Sequence, residues 1–321
     1  MSNSLQKADK RPVKSHLVEG EDGRLLTSSP MAYVYLLLPV AFLTVFLIYP
    51  TIKTARMAFY ERFVFITSTG TGFGLSAFRY VLNDPTFWQA LKNTGILLLV
   101  ALPLSVILAL VFALLINSIQ KLQGFFQTLY FLPYVTSTIA IGTAFLWLFH
   151  SQYGYITWFL ELLGLKGKAW LTDKDLVVWT LSFFCIWNGL AYKIILILAG
   201  LQKIDPEVYK AAKIDGTGSL RTTMRITLPL LSPTIWMVAL TSMIHTAKTY
   251  NEVYSLFTGY GGGGDAGPGN SAITIVYYIY YQFNSRKAVN YAAAAAVIFL
   301  LIIIILTLLQ RLITRKLTHY V

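Results

Sequence analysis

The chain has 321 residues, of which 56% are hydrophobic and only 12% are charged. A soluble domain of this length would carry about twice that fraction of charged residues, which excludes an ordinary soluble fold. The net charge of +12 would suggest nucleic-acid binding in a soluble protein. Here lysine and arginine flank apolar runs, as the positive-inside rule for membrane proteins predicts. A single cysteine, Cys185, excludes a disulfide framework and a thiolate metal cluster.

Apolar residues gather in blocks of about 20, the length that crosses the hydrocarbon core as a helix. Because backbone polar groups in lipid must be satisfied internally, helices are the only plausible form for these blocks. We therefore predict an all-α integral membrane protein whose membrane domain covers residues 31–310. Its six predicted spans are residues 31–50, 94–116, 125–149, 176–199, 233–257 and 289–310.

Both ends of the chain are polar. Residues 1–30 mix charges of both signs and contain few aromatic residues, so we expect a disordered tail; residues 311–321 form a second tail. No clear cleavage site follows the first span, which we interpret as a retained span rather than a signal peptide. With the N-terminus inside, one side of the membrane carries 14 basic residues and the other 10. This bias favours both termini in the cytoplasm.

Three segments outside the spans carry local signals. Asp84-Pro85 predicts a helix start, because the fixed φ of proline suits the first helical turn. Residues 273–283 (ITIVYYIYYQF) are too short and too aromatic to span, and we expect them at a membrane interface. The glycine-rich loop 258–272 lacks the GK[ST] ending of a phosphate-binding loop, and we interpret it as a flexible external loop.

A polar segment of 28 residues, 206–233, separates the fourth and fifth spans. Asp205 precedes Pro206 and predicts a helix start, with Glu207 at the positive end of the helix dipole. The short helix is expected to end at Gly216, the residue type favoured for a left-handed C-terminal cap.

A second short helix is expected after this glycine. Ser219 can cap it, and Pro229 and Pro233 predict a turn into the fifth span. Ala211 and Ala212 are small, so the first helix can sit deep in a groove of another protein. From these residues alone, an ordinary amphipathic connecting loop remains the alternative.

The polar segment resembles the cytoplasmic coupling loop of permease subunits from binding-protein-dependent ATP-binding-cassette (ABC) importers. The pattern of that family is E-A-A-x-x-D-G-A, a spacer, and then I-x-L-P. Here the two parts read KAAKIDGT at residues 210–217 and ITLP at residues 226–229. Four further segments resemble the carbohydrate-uptake branch of this family: residues 74–94, 130–140, 198–216 and 267–283. The last of them resembles the first of the two permeases in such systems, the maltose- and glycerol-phosphate-type partner.

The resemblance implies the fold of a type I ABC importer permease and the import of a sugar or oligosaccharide by alternating access. It also implies four further components: a second permease subunit, two ATPase subunits that bind ATP and Mg, and an extracytoplasmic solute-binding protein. The implied location is the bacterial cytoplasmic membrane. The chain contains no P-loop, so we expect a transport subunit without enzymatic activity or a cofactor of its own.

The resemblance also implies which residues meet the ATPase, since the first helix of the polar segment is expected to insert into that subunit. The expected coupling residues lie at positions of the family pattern or, for Glu207, directly before it: Glu207, Lys210, Ala211, Ala212, Asp215, Gly216, Leu228 and Pro229. Two positions depart from the pattern: Lys210 replaces a glutamate, and Thr223 stands where an aromatic residue is usual. We therefore expect an acidic or polar group on the ATPase opposite Lys210.

The fifth predicted span carries polar residues that are candidates for a solute pathway. His245, Lys248 and Glu252 lie at positions i, i+3 and i+7, one face of a helix, with Asn251 beside them. Ionisable groups at membrane depth normally face a bundle interior or a water-filled cavity. A wall of the solute pathway and a structural Lys–Glu pair both fit this pattern. A lysine on the pathway would suit an anionic sugar such as a uronate.

The fourth predicted span adds Trp187 and Asn188 to the pathway candidates. A tryptophan ring can stack on a sugar, although packing is its commoner role within a span. Lys193 lies near the end of the same span, where it can extend to the headgroups, and we assign it no role.

Two alternatives stay open at this point. One is an importer of the same family for glycerol phosphate or another polyol. The other is an ATP-independent secondary carrier, which would not need the polar segment 206–233. A membrane-embedded enzyme is not supported, because the four histidines are far apart in sequence and none has ligand-like spacing: His16, His150, His245 and His319.

Overall fold

The computed structural model of the chain describes residues 30–67, 69–119, 123–258 and 266–317. Parts of three predicted segments lie outside the described residues: residues 1–29 of the N-terminal tail, residues 259–265 of the glycine-rich loop and residues 318–321 of the C-terminal tail. The described residues form two compact units, one ending at Thr54 and the other beginning at Ala55.

The first unit is helical. Helix α1 (Pro30–Leu43) continues through one π-helical turn (Thr44–Ile48) into α2 (Tyr49–Met57), whose last three residues lie beyond the end of this unit. The described side chains from residue 31 to residue 53 are all exposed, although most are apolar. A helix that is apolar on all sides requires a lipid or protein environment.

Helices also dominate the second unit. In chain order they are α3 (Ser76–Asn83), α4 (Pro85–Ile96), α5 (Leu102–Ser118), α6 (Gln123–Val135), α7 (Thr138–Leu148), α8 (Tyr155–Leu162), α9 (Val177–Gln202), α10 (Pro206–Ile214), α11 (Ser219–Thr222), α12 (Leu228–Ala247), α13 (Asn251–Phe257), α14 (Ile275–Tyr280) and α15 (Val289–Leu317). Single π-helical turns join α4 to α5 and α11 to α12, and a third follows α14: Leu97–Ala101, Thr223–Thr227 and Tyr281–Ser285. A short 3-10 turn covers Pro268–Asn270.

Within the described residues, five helices are long and apolar enough to cross a membrane, and six if one bent pair is a single span. The five are Tyr33–Met57, Pro85–Ser118, Val177–Gln202, Ser219–Ala247 and Val289–Thr314; the pair is Gly124–Val135 with Thr138–Leu148. Each of them contains most of one predicted span. The predicted fold class, an all-α integral membrane protein, is confirmed, and the described helices account for five or six spans.

One exception to the helical fold was not predicted. Strands β1 (Tyr60–Val64) and β2 (Thr69–Phe73) form an antiparallel hairpin in the segment between the first two spans. The Nδ2 group of Asn290, in α15, donates a hydrogen bond of 2.8 Å to the carbonyl of Glu61. This contact between residues far apart in sequence holds the hairpin against the last helix. No local sequence pattern predicts the hairpin.

The second span begins earlier than predicted. Asp84 caps α4, and its Oδ1 accepts a hydrogen bond of 2.9 Å from the backbone N–H of Thr86, which confirms the helix start at Pro85. The helix then runs without a break to Ser118. Phe87, in its first turns, is buried and Trp88 is half exposed, so the helix continues the membrane span as an amphipathic extension.

The expectation that residues 273–283 lie at a membrane interface is wrong for α14. Tyr277 and Tyr278 are fully buried among protein groups, and α14 packs against α4 and α15. The hydroxyl of Tyr278 donates to Oδ2 of Asp84 at 2.8 Å. Burial raises the pKa of the Tyr278 phenol, and the hydrogen bond to Asp84 acts in the same direction. The aromatic residues here serve packing within the protein.

The third and fifth predicted spans are not continuous helices. Helices α6 and α7, predicted as the single span 125–149, are bent by 95° at the break between Val135 and Thr138. The predicted span 233–257 is interrupted at residues 248–250, where α12 has ended and α13 has not begun. Apolar composition located these segments but carries no signal for a break stabilised by distant residues.

The turn expected at Pro229 and Pro233 is also wrong. The helix runs from Ser219 to Ala247 through both prolines, and Gly218 rather than Ser219 occupies its N-cap. Pro229 lies in the first turn of α12, directly after the π-helical turn, where a missing N–H is tolerated.

Two hydrophobic clusters hold the second unit together. The larger one joins α4, α7, α13 and the first half of α9 and includes Phe87, Phe184 and Leu256. The smaller one joins α5, α12 and the second half of α9 and includes Ala109 and Ile194. The broken spans lie where these two clusters meet along α9.

Candidate functional site

The first candidate site is α10, the short helix of the polar segment. Oδ1 of Asp205 accepts a hydrogen bond of 2.9 Å from the N–H of Glu207, which confirms the predicted N-cap. At the other end, Gly216 adopts a positive φ of 69°. The N–H of Gly216 donates to the carbonyl of Lys213 at 3.1 Å and that of Thr217 to the carbonyl of Ala212 at 3.0 Å. This pair of hydrogen bonds is a Schellman motif, so both ends of α10 are closed locally.

Five of the predicted coupling residues lie on the exposed surface of α10 and its C-terminal turn. They are Glu207, Lys210, Ala211, Asp215 and Gly216. The Nζ of Lys210 pairs with Oε1 of Glu207 at 2.7 Å, one helical turn earlier. The expected acidic partner for Lys210 is thus already available within the chain, and an exposed pair of this kind contributes little to stability.

The other three predicted coupling residues are not on that surface. Ala212 is only 4% exposed, because adjacent residues on a helix point about 100° apart. Leu228 and Pro229 are half-buried at the start of α12. The expectation that both alanines form one docking face is therefore wrong, and Ala211 alone is available to a partner.

Sequence reasoning missed the apolar part of this exposed surface. Ile214 is 86% exposed, Leu220 74% and Met224 58%. Exposed apolar side chains beside charged ones make this surface a candidate contact site for a protein or for lipid. The i, i+4 spacing of Leu220 and Met224 places both on one side of the helix and was a usable signal for this surface.

Helix α10 rests on the start of the long helix that follows it. The hydroxyls of Tyr209 and Thr227 lie 3.4 Å apart. A cavity of about 650 Å³ separates α10 from the end of α5, and its lining includes Asn117 and Lys213. The helix therefore has one contact surface toward the bundle and an exposed surface on the other side.

The second candidate site lies where both broken spans meet the middle of α9. The ring of Tyr134, just before the bend between α6 and α7, stacks on Tyr192 of α9 at 5.6 Å. Helix α13, directly after the break between α12 and α13, packs against α9. Non-helical backbone at membrane depth is tolerated where it is buried in protein or lines a cavity, and in many secondary transporters such breaks form the solute site.

Residues far apart in sequence stabilise the second break. The hydroxyl of Thr274 donates to the carbonyl of Thr249 at 2.6 Å, and Thr274 is fully buried. Helix α13 packs against α7 so closely that a Cβ on Gly142 would collide with the side chain of Ser255. The geometry of the break thus depends on tertiary packing.

The break also separates the residues predicted to share one helix face. His245 is in the last turn of α12, Lys248 follows its end, and Asn251 begins α13; all three are exposed. Glu252 is buried, with 7% exposure. No ion pair joins Lys248 and Glu252 in the described part of the chain, so the structural Lys–Glu pair is not formed.

In α9, the two predicted pathway residues are half-buried. The ring of Trp187 packs on that of Phe145 at 4.8 Å, and Asn188 follows it. Lys193 does not extend to the headgroups: it is 5% exposed, and its Nζ donates to the carbonyl of Gly189 at 3.1 Å. A side chain on Gly189 would occupy the position of this ammonium group.

A cluster of tyrosines beside the break was not predicted as part of the site. The ring of Tyr250, within the break, lies 5.0 Å from that of Tyr280, 5.7 Å from that of Tyr277 and 5.9 Å from that of Tyr254. The sequence places Tyr277 and Tyr280 on one helix face, but nothing local connects them to Tyr250. In the described residues, no group of His, Cys, Asp or Glu side chains could hold a metal ion.

Comparisons with known proteins agree with this architecture. Residues 101–319 match the family described as "Binding-protein-dependent transport system inner membrane component". The lactose transport system permease protein LacF of Rhizobium radiobacter is 35% identical over 75% of this chain and 79% of LacF. The arabinooligosaccharides transport system permease protein AraP of Bacillus subtilis is 30% identical over 74% of each chain.

Three further matches are to one permease and two solved structures. The sulfoquinovosyl glycerol transport system permease protein SmoG of Agrobacterium fabrum is 30% identical over 77% of this chain and 78% of SmoG. A chain of a bacterial ABC transporter involved in the import of the acidic polysaccharide alginate superposes with a TM-score of 0.75 at 23% identity, over 90% of this chain and 96% of that chain. A second structure, with an alginate-bound periplasmic protein, gives 0.73 at 25% identity, over 90% of this chain and 95% of that chain.

Proposed function

Because the chain belongs to the family of binding-protein-dependent transport system inner membrane components, we propose that it is the membrane-spanning subunit of an ATP-driven carbohydrate importer. Relatives named for lactose and for arabinooligosaccharides support a sugar or oligosaccharide as the solute. The observation that carries the proposal is α10, a locally capped helix with an exposed mixed charged and apolar surface. A self-sufficient carrier has no use for such a surface.

The partners in this proposal are a second permease subunit, two ATPase subunits and an extracytoplasmic solute-binding protein. The ATPase subunits bind ATP and Mg, and α10 docks into one of them. Glu207, Lys210, Ala211 and Ile214 make the contact. Both termini and α10 then lie on the cytoplasmic side of a bacterial inner membrane, as the basic residues favour.

The structure suggests how movement of α10 reaches the membrane. Tyr209 connects α10 to Thr227, in the first third of the helix Ser219–Ala247. This helix has 29 residues and is therefore about 43 Å long, enough to cross the bilayer. Its far end is the break next to α13. A rigid-body displacement of α10 therefore moves the end of this helix at the break, where alternating access requires a change of packing.

The proposed solute pathway passes this break. His245, Lys248 and Asn251 supply exposed polar groups beside it, while Trp187 and Tyr250 supply aromatic rings. Aromatic rings and hydrogen-bonding groups together are the chemistry that binds a sugar. If His245→Ala and Lys248→Ala leave the rate and the apparent affinity of uptake unchanged, this pathway is wrong.

The proposal is tested by purifying the tagged chain gently from its native membrane and identifying the proteins that accompany it. An ATPase in stoichiometric amount and a second six-span protein are expected. ATP hydrolysis should rise when the matching binding protein is added with its sugar. A chain that purifies alone, folded and without ATPase activity, would contradict the proposal and favour a self-sufficient carrier.

A further inference from the structure

A cavity of about 800 Å³ lies at the end of the bundle opposite α10. We call it the outer cavity. It is formed by the first turns of α4, the start of α9 and the turn Pro268–Asn270. It is separate from the helix break, since none of the proposed pathway residues lines it. Its volume is in the range that small-molecule sites occupy.

The lining of the outer cavity is suited to a carbohydrate. The indole of Trp179 is 54% exposed and offers a flat apolar face, and Gln89 also lines the cavity. Asp175 adds a carboxylate that accepts hydrogen bonds from hydroxyl groups. An aromatic ring with planar polar groups fits a sugar ring, which has apolar faces and a rim of hydroxyls.

Two lysines give the cavity a positive character. Lys92 and Lys174 both line it, and among the described residues neither is in a salt bridge with a carboxylate. The Nζ of Lys174 lies 3.7 Å from the position that a Cβ would take on Gly269, so its end reaches over the turn Pro268–Asn270. Two lysines against one aspartate leave a net positive charge, which favours an anionic group on the ligand.

The floor of the outer cavity is connected to the helix break. Nδ2 of Asn93 donates to the carbonyls of Ser271 and Ile273, at 2.7 and 2.9 Å. Three residues after Ser271, Thr274 donates to the carbonyl of Thr249 in the break. Both Asn93 and Thr274 are buried. A ligand in the cavity therefore contacts the segment that stabilises the break.

We infer that the outer cavity is a binding site for one residue of an acidic carbohydrate. The sugar ring lies on Trp179, its hydroxyls bond to Gln89 and Asp175, and its carboxylate or sulfonate pairs with Lys92 and Lys174. This inference rests on the proposed function, because it places the site on the external face, where solute is delivered. It adds a substrate class, an anionic sugar, and a site outside the proposed pathway.

The test is direct sugar binding to the importer, purified with the subunits that accompany this chain and reconstituted in phosphatidylcholine nanodiscs without the binding protein. D-galacturonate is titrated against D-galactose, with saturation-transfer NMR as the readout. Saturable binding of galacturonate, and clearly weaker binding of galactose, is expected. No saturable binding of galacturonate would overturn the inference while leaving ATPase association, and thus the proposed function, untouched.

Variants test whether galacturonate binds in the outer cavity. The double variant Lys92→Ala/Lys174→Ala is expected to weaken galacturonate binding by roughly tenfold or more, since it removes charge-assisted hydrogen bonds. Trp179→Ala should weaken both sugars, and Trp179→Phe should restore part of the loss. Matched controls on exposed external residues are Lys166→Ala/Lys168→Ala and Trp158→Ala, which should change affinity less than about twofold. Equal effects of the test and control variants would contradict the inference.

Lipid headgroups carry a similar anionic group, and the same experiment separates the two ligands. Galacturonate binding should be unchanged when phosphatidylglycerol replaces part of the phosphatidylcholine. If phosphatidylglycerol abolishes the binding, the outer cavity holds a lipid headgroup and the inference is wrong.

Discussion

The long helix from Ser219 to Ala247 is flanked by non-helical backbone on both sides, and different kinds of contact stabilise the two non-helical segments. Before it, the turn after α10 is closed by hydrogen bonds between residues at most five positions apart. After it, the break at Thr249 is held by Thr274, 25 residues further on. A locally closed turn keeps its shape when its surroundings move. A break that depends on distant partners changes when those partners shift.

This difference suggests a division of labour. Helix α10 is a rigid element that can be displaced as a unit, since its caps need no tertiary contact. The break beside α13 is the element whose packing can switch, since it has the Gly142–Ser255 contact and the Thr274–Thr249 hydrogen bond to lose or regain. A two-state transporter needs both kinds of element.

The largest expected effect separates the exposed and buried alanines of α10. Ala211→Trp should reduce ATP-driven uptake by roughly tenfold or more, because about 1.4 kcal/mol lost at the docking surface has this effect. Its melting temperature should stay unchanged, since Ala211 is exposed. Ala212→Trp, at a buried position, should instead lower the melting temperature. The same thermal loss in both variants would contradict the assignment of the two faces.

The next effect concerns the close packing of α7 on α13. Gly142→Ala should destabilise the protein by about 1–3 kcal/mol, because the added methyl group meets Ser255. Thermal unfolding in detergent measures this loss. Gly95→Ala is the matched control, since nothing lies within 4 Å of its Cβ position, and it should be neutral or slightly stabilising. The swap Gly142→Ala/Ser255→Gly should recover part of the stability.

A somewhat smaller effect is expected at the break itself. Thr274→Val removes the hydroxyl that donates to Thr249 and leaves a buried carbonyl without its partner, at a cost of about 1–2 kcal/mol. Uptake should fall together with stability. The control, Thr128→Val, removes a hydroxyl bonded within its own helix at an exposed position. Equal stability of both variants would show that the break does not depend on Thr274.

The smallest effect is expected from Lys210→Glu. It replaces an exposed ion pair with two carboxylates one turn apart, which costs about 0.5 kcal/mol. Because Glu207 already neutralises Lys210, transport and ATP hydrolysis should fall less than about threefold. A loss as large as that of Ala211→Trp would mean that Lys210 has a partner of its own on the ATPase.

The sequence alone predicted the features of this fold that have local causes. Apolar length located the six spans, and capping residues located both ends of α10 at Asp205 and Gly216. It failed where distant residues decide the structure. The break at residues 248–250 depends on Thr274, and the hairpin at residues 60–73 is held by Asn290. For the same reason, His245 and Glu252 were assigned to one helix face that does not exist.

The central claim is that the exposed surface of α10 contacts an ATPase. The chain has one cysteine, Cys185, so a Cys185→Ser background allows a single new cysteine through Ala211→Cys, with Lys168→Cys as the control at the opposite end. Each cysteine is coupled to a benzophenone crosslinker in native membranes, and mass spectrometry identifies the crosslinked protein after illumination. The account predicts that position 211 crosslinks to an ATP-binding-cassette ATPase and that position 168 does not. A folded, active Ala211→Cys variant without this crosslink, or the same product from position 168, would contradict it.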